Sequence, residues 1–129
     1  MKVGFDLHGL FDSAELSPIF VELTRLLVDA EHEVHIITGS EQTPELCQEL
    51  REKGVHWTHF FSVTDYHKAI GTPIVRDQRG RPWMDSGLWN RTKAEYCKHA
   101  GILIHFDDSD VYHRYFNTPY CHVIAKSLD

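Results

Sequence analysis

The chain has 129 residues, 42% of them hydrophobic and 25% charged, and a formal net charge of -6. That length is enough for one substantial core, and the composition is ordinary for a globular domain. The negative balance argues against general affinity for nucleic acid or anionic membranes, leaving only a local basic patch open, and no apolar run approaches the roughly 20 residues needed to cross a bilayer.

Met1-Lys2 leads into what reads as a strand rather than a signal peptide. Val3 to Leu7 is an apolar run of strand length, with Asp6 at its end and Gly9 three residues further on. A carboxylate at the exit of a buried strand costs several kcal/mol, on the order of magnitude, unless something pairs with it. Asp6 is therefore either a cap or turn residue, or a metal ligand and nucleophile at the carboxyl end of a parallel strand.

Ser17-Pro18 reads as a helix start, a capping hydroxyl before proline. Ile19, Phe20, Leu23, Leu26, Leu27 and Ala30 then predict one apolar face as far as residues 29–31. Glu33 to Thr38 is a second strand, closing in Thr38-Gly39-Ser40. Thr43-Pro44 opens a second helix, with Leu46, Cys47 and Leu50 inward and Lys53-Gly54 as its stop. Val55 to Phe61 predicts a third strand, and Thr64 to Ile70 a short helix closed by Gly71. Ile74 to Met84 predicts a small hairpin or flap, within an insertion of about residues 71–88, kept at an edge by Pro82. Trp89 to Ala100 is a long helix, with Gly101 as its stop. Ile102 to Phe106 is a fourth buried strand, running into Asp107-Asp108. A short helix, Val111 to Phe116, leads to a last strand, Cys121 to Ala125. Residues 1–129 form a single domain in this reading, without repeats or linkers. Cys47, Cys97 and Cys121 are odd in number and far apart, which favours reduced thiols and a cytoplasmic setting.

Strands alternating with helices predict an α/β three-layer sandwich around a mainly parallel five-stranded sheet. Such sheets bind ligands beyond the carboxyl ends of their strands. Asp6 and His8 follow the first strand, Thr38 and Gly39 end the second, and Asp107 and Asp108 end the fourth. Lys93 lies near the start of the helix that feeds the fourth. Each has a plain reading by itself: a strand end, a solvated helix surface, a cap. Together, in this order, they describe a phosphate site. Clustered carboxylates are hard oxygen ligands for Mg²⁺. A lysine and a hydroxyl hold phosphate oxygens. An aspartate can attack phosphorus to give an acyl phosphate that water hydrolyses.

The order Asp6-x-His8-Gly9, then Thr38-Gly39 after an apolar strand, then Lys93, then Asp107-Asp108 resembles the haloacid dehalogenase superfamily of phosphohydrolases, across nearly the whole chain. The resemblance implies a Rossmann-like sheet, Mg²⁺ dependence and an aspartyl-phosphate intermediate. It makes Asp6 the nucleophile and a metal ligand, Thr38 a phosphoryl-binding residue, and Lys93 a stabiliser of charge on both. Asp107 and Asp108 complete the metal site, without deciding which of them touches the ion. The insertion is too short for a large cap, as in capless members that act on large or exposed phosphoesters.

One position departs from the family. Where a second aspartate is usual, two residues after the nucleophile, this chain has His8. Its backbone carbonyl can still hold the metal. An imidazole can both donate and accept a proton, so the side chain can act as the general acid and base instead. A phosphatase acting on a small phosphorylated substrate is therefore expected. The rivals are a phosphate-binding or regulatory module that has lost turnover, and a phosphotransferase. Arg76, Arg79 and Arg81, near Trp83, Trp89 and Arg91, read first as solvated charges on an exposed turn; if the flap overhangs the rim they could grip a phosphate or stack a base, which keeps nucleotides and nucleic-acid ends open as substrates. His32 with His35, and His56 with His59, are near neighbours but lack zinc-site spacing, so scattered surface or half-buried histidines are expected.

Overall fold

Five strands line up side by side, every neighbouring pair parallel, in a computed structural model that describes residues 1–124. In chain order the elements are β1 (Lys2–Phe5), α1 (Ser17–Asp29), β2 (Glu33–Thr38), α2 (Pro44–Glu52), β3 (His59–Ser62) and α3 (Val63–Ala69). They continue with β4 (Val75–Arg76), β5 (Pro82–Trp83), α4 (Ser86–Ala100), β6 (Ile104–Asp107) and β7 (Tyr120–His122). The sheet order is β3-β2-β1-β6-β7. The chain starts in the centre, moves outward to β3, then returns to the far side of β1. Strand order thus reverses between β1 and β6, and the loops leaving those two strands part to open a crevice.

β1 and β2 are buried along almost their whole length, as central parallel strands covered on both faces must be. Alternate side chains serve two cores. Phe5 stacks on Phe106 at 5.4 Å, and Phe20 of α1 meets both edge-on, within a cluster that includes Val34, Ile36 and Leu50. On the other face Ile37, Cys97 and Ile102 pack with Phe61 and Tyr96.

Thr43 caps α2 through the Leu46 N–H as expected, and Gly54, Gly71 and Gly101 follow their helices at positive φ. Other boundaries differ. Ser17 is not a cap: it is the first residue of α1, and its hydroxyl donates to the Phe11 carbonyl at 2.9 Å. The buried residues of α1 are Phe20 and Thr24, while Ile19 and Leu26 stay 63% and 51% exposed. Thr24 is tolerated there because its hydroxyl donates to the Val21 carbonyl and accepts the His56 N–H. β3 is shorter than the predicted Val55 to Phe61, because the Thr58 hydroxyl takes the Val34 N–H that a longer strand would have paired.

β4 and β5 form the expected hairpin, antiparallel and separate from the main sheet. α4 begins three residues before Trp89, capped by Asp85 on the Leu88 N–H. The predicted helix at Val111 to Phe116 is only a 3-10 turn, His113–Tyr115. The last strand starts one residue earlier than predicted, and Ala125 lies outside the described residues. Among the described residues, no helix is long and apolar enough to cross a membrane.

Candidate active site

The register of the sheet builds the site. Phe5 pairs with Phe106, and the Asp6 N–H then donates to the Phe106 carbonyl at 2.9 Å. Asp6, leaving β1, and Asp107, ending β6, are thereby brought level. Lys93 reaches over from α4 and joins them, its Nζ 2.9 Å from Asp6 Oδ1 and 3.0 Å from Asp107 Oδ2. All three residues are buried. The ammonium also sits over the Tyr112 ring, 4.6 Å from its centroid.

The two carboxylates are unequal. Burial pushes Asp6 up to about 7, Lys93 opposes this, and Asp107 adds to it. Burial also works upward on Asp107, but the hydrogen bond from His105 and the charge of Lys93 outweigh it and hold that carboxyl well below its ordinary range. Burial works against the Lys93 charge, yet Asp6 and Asp107 keep it above its usual value.

Asp107 sits in a complete cradle. His105 Nε2 lies 2.9 Å from Oδ2, and the Ser109 N–H donates to Oδ1 at 3.0 Å. A carboxylate only accepts, so Nε2 carries the proton. Burial lowers the His105 pKa and favours this neutral form. Its Nδ1 is the one buried side-chain nitrogen or oxygen among the described residues without a hydrogen-bond partner. Gly4 makes room for that ring, since a Cβ there would lie 2.8 Å from Nδ1. Sequence reasoning missed His105. The signal was the period of two, which places residues 105 and 107 on one face of a strand.

Asp108, more exposed, joins the group: one carboxylate oxygen each from Asp6, Asp107 and Asp108 lie within 4.8 Å of one another. Gly9 is glycine for two reasons, its φ of +83° and the Asp108 carboxylate, which a Cβ would approach to 2.2 Å. Three carboxylates face one ammonium and one neutral imidazole. This oxygen donor set with surplus negative charge fits a hard divalent cation.

Thr38 is fully buried, and its hydroxyl oxygen accepts the Ser40 N–H at 3.1 Å. Gly39 lies beneath Trp89, whose ring a Cβ would meet at 2.6 Å. His8 is exposed at the crevice mouth. Its Nδ1 lies 3.0 Å from Asp12 Oδ2, and its Nε2 lies 3.0 Å from Ser40 Oγ. Burial works upward on Asp12, but the His8 contact and the Gly9 N–H lower its pKa overall. Asp12 thus orients His8 and anchors the turn, a role its sequence position did not suggest.

Arg76 is not a free phosphate clamp. Its guanidinium is 2.7 Å from Glu41 and also donates to the Gly80 carbonyl, so it ties the hairpin to the loop after β2. Arg81 is similarly committed to Asp77. Asp6, His8, Thr38, Gly39, Arg76, Lys93 and Asp108 all line one cavity of about 850 Å³, roofed by the hairpin. Asp107 lies behind that wall.

The histidines are not all scattered. His35 and His59, partners across β2 and β3, stack with ring centroids 4.2 Å apart, and Glu33 lies within 3.5 Å of both. The expectation of scattered histidines weighed only neighbours in sequence, whereas this pair is made by sheet register. Their ring planes are within 4° of parallel, so one ion cannot lie in the plane of both.

Comparison of the chain with family models, with curated proteins and with solved structures returned no match.

Proposed function

We propose that the chain is a Mg²⁺-dependent phosphomonoesterase of haloacid dehalogenase type, cytoplasmic, and acting on a small phosphorylated substrate. One observation carries the reading: Asp6, at the reversal of strand order, shares Lys93 with Asp107 and stands within ligand reach of Asp108. Asp6, Asp107, Asp108 and the His8 carbonyl would hold the ion. When bound, it supplies positive charge that keeps Asp6 ionised and offsets the phosphate oxygens. The three free cysteines support a reducing setting.

An Asp6 oxygen attacks phosphorus as the bond from phosphorus to the ester oxygen breaks. Lys93, already 2.9 Å from Asp6, holds the group's charge, and the Thr38 hydroxyl donates to a phosphoryl oxygen. Protonated His8 gives its Nε2 proton to the departing alkoxide. Neutral His8 then takes a proton from water as that water attacks the phosphorus. The bond from Asp6 to phosphorus breaks, inorganic phosphate leaves, and the carboxylate is restored.

Both ring nitrogens of His8 already have partners, which favours a second reading, a module that binds phosphate without turning it over. Phosphate release from an aryl phosphate, with and without Mg²⁺, separates the two. The enzyme reading expects metal-dependent release that Asp6→Asn abolishes. Absence of release with Mg²⁺-dependent capture of a phosphate mimic selects the module, and absence of both sinks the two together. Metal-dependent loss of the aryl ester with phosphate passed to an added alcohol instead of water would select a phosphotransferase.

A further inference from the structure

The cavity is much larger than a phosphate needs. At about 850 Å³ it is in the range that encloses ligands of drug size. Beyond Asp6 and Lys93 its lining includes three aromatic side chains, Trp83, Trp89 and Tyr112. We propose, building on the phosphomonoesterase reading, that the alcohol half of the substrate carries a planar heteroaromatic ring, making the substrate a nucleoside monophosphate.

The aromatic wall begins at the phosphate site itself. Trp89 covers Gly39 and donates its indole N–H to the Tyr112 hydroxyl at 3.3 Å, while the Tyr112 ring lies under the Lys93 ammonium. Aromatic surface therefore starts beside the Lys93 ammonium, 4.6 Å from the Tyr112 ring centroid, and continues through Tyr112 to Trp89. On the hairpin that also lines the cavity, Trp83 is 60% exposed yet held in place, its indole N–H 3.3 Å from Asp77 Oδ2. Asp77 itself is anchored by the Arg79 and Arg81 N–H groups and by the Arg81 side chain. An exposed indole that is fixed in orientation offers a stacking face at little further entropic cost. Asn90 adds an amide at the same wall, able to donate to and accept from a ring edge.

A polynucleotide fits less well. Two of the cations lining the cavity are already paired, Arg76 with Glu41 and Arg81 with Asp77, and the chain carries a net charge of -6. Among the described residues, the other lysine or arginine lining the cavity is Lys93, held by Asp6 and Asp107, and polynucleotide binding depends on a row of free cations. One phosphate and one flat ring are what the cavity matches.

The test compares adenosine 5′-monophosphate with ribose 5-phosphate, which lacks the ring, using the full chain with Mg²⁺. The expected kcat/KM is at least about tenfold higher for the nucleotide. Trp83→Ala should bring that ratio toward one, and Trp83→Phe should largely keep it. In Asp6→Asn, which removes turnover, the nucleotide should quench tryptophan fluorescence at lower concentration than the sugar phosphate. Equal kcat/KM for both esters overturns the ring site but leaves the phosphatase reading standing. Failure to release phosphate from either overturns the phosphatase reading, and the fluorescence titration then decides the ring site alone. A 5′-phosphorylated oligonucleotide preferred over the mononucleotide overturns the choice of a small substrate.

Discussion

His105 Nε2 lies 2.9 Å from Asp107 Oδ2, and neither residue has any exposed surface. The imidazole is the donor that fixes which way Asp107 points, a kind of support that matters as much as the ligand it orients. His105→Phe keeps a flat ring against Phe116, now stacked on His105 at 5.3 Å, but removes the donor. The expected outcome is a fall of about 10–100-fold in kcat/KM with a higher Mg²⁺ requirement, measured by titrating Mg²⁺ in an aryl phosphate assay. Unchanged Mg²⁺ dependence would reduce His105 to packing.

Lys93 is the shared counter-charge of Asp6 and Asp107. Lys93→Met leaves two buried carboxylates facing each other without it, a loss of about 3–5 kcal/mol when both are ionised. Without the ammonium both carboxyls titrate higher, so the loss is largest at pH 8 and shrinks as the pH falls and they take up protons. Denaturant unfolding at pH 8 and pH 5.5, in chelator, measures it. An equal loss at both would mean that Lys93 contributes packing rather than charge.

Burial lowers the pKa of His35, His67 and His105 below their ordinary 6.5. Below 6.5 the unfolded chain takes up protons that the folded chain resists. Their contribution is therefore present in full above 6.5 and lost as the pH falls through the folded values. Asp6 works the other way. Burial raises it from 3.8 to about 7, so its contribution is full below 3.8 and lost as the pH rises through about 7. In wild-type protein the two trends partly cancel. Asp6→Asn removes the second, so its urea midpoint should climb more steeply between pH 5 and pH 7 than that of wild type. At pH 8, in chelator, the variant should also be the more stable of the two.

Glu41 tethers the hairpin through Arg76 and also meets Lys68 at 3.2 Å. These groups are partly exposed, so Glu41→Ala should cost under about 1 kcal/mol of global stability. Its local effect should be larger, because β4 and β5 are only two residues each and belong to no larger sheet. Limited trypsin digestion should cut faster at Arg76 and Arg79, with little change in the denaturation midpoint. Equal cleavage rates would show that Asp77, which binds Arg81 and Trp83, holds the hairpin alone.

What could be read from the residues alone was where strands stop and helices start. A buried strand must end where a charge or glycine interrupts the apolar run, so Asp6, Thr38 and the Asp107-Asp108 pair stood out as element ends, and the parallel α/β sheet followed from alternation. Boundaries shifted wherever a side chain replaced a backbone partner, as Thr58 does beside β2. What only the folded chain decided was who meets whom. That β6 lies against β1 sets Asp107 beside Asp6, and the register of β2 on β3 stacks His35 on His59. The commitment of Arg76 to Glu41 likewise joins residues 35 positions apart. Local periodicity specifies the face on which a side chain lies, but strand order and register are settled by long-range burial, which no short stretch of sequence contains.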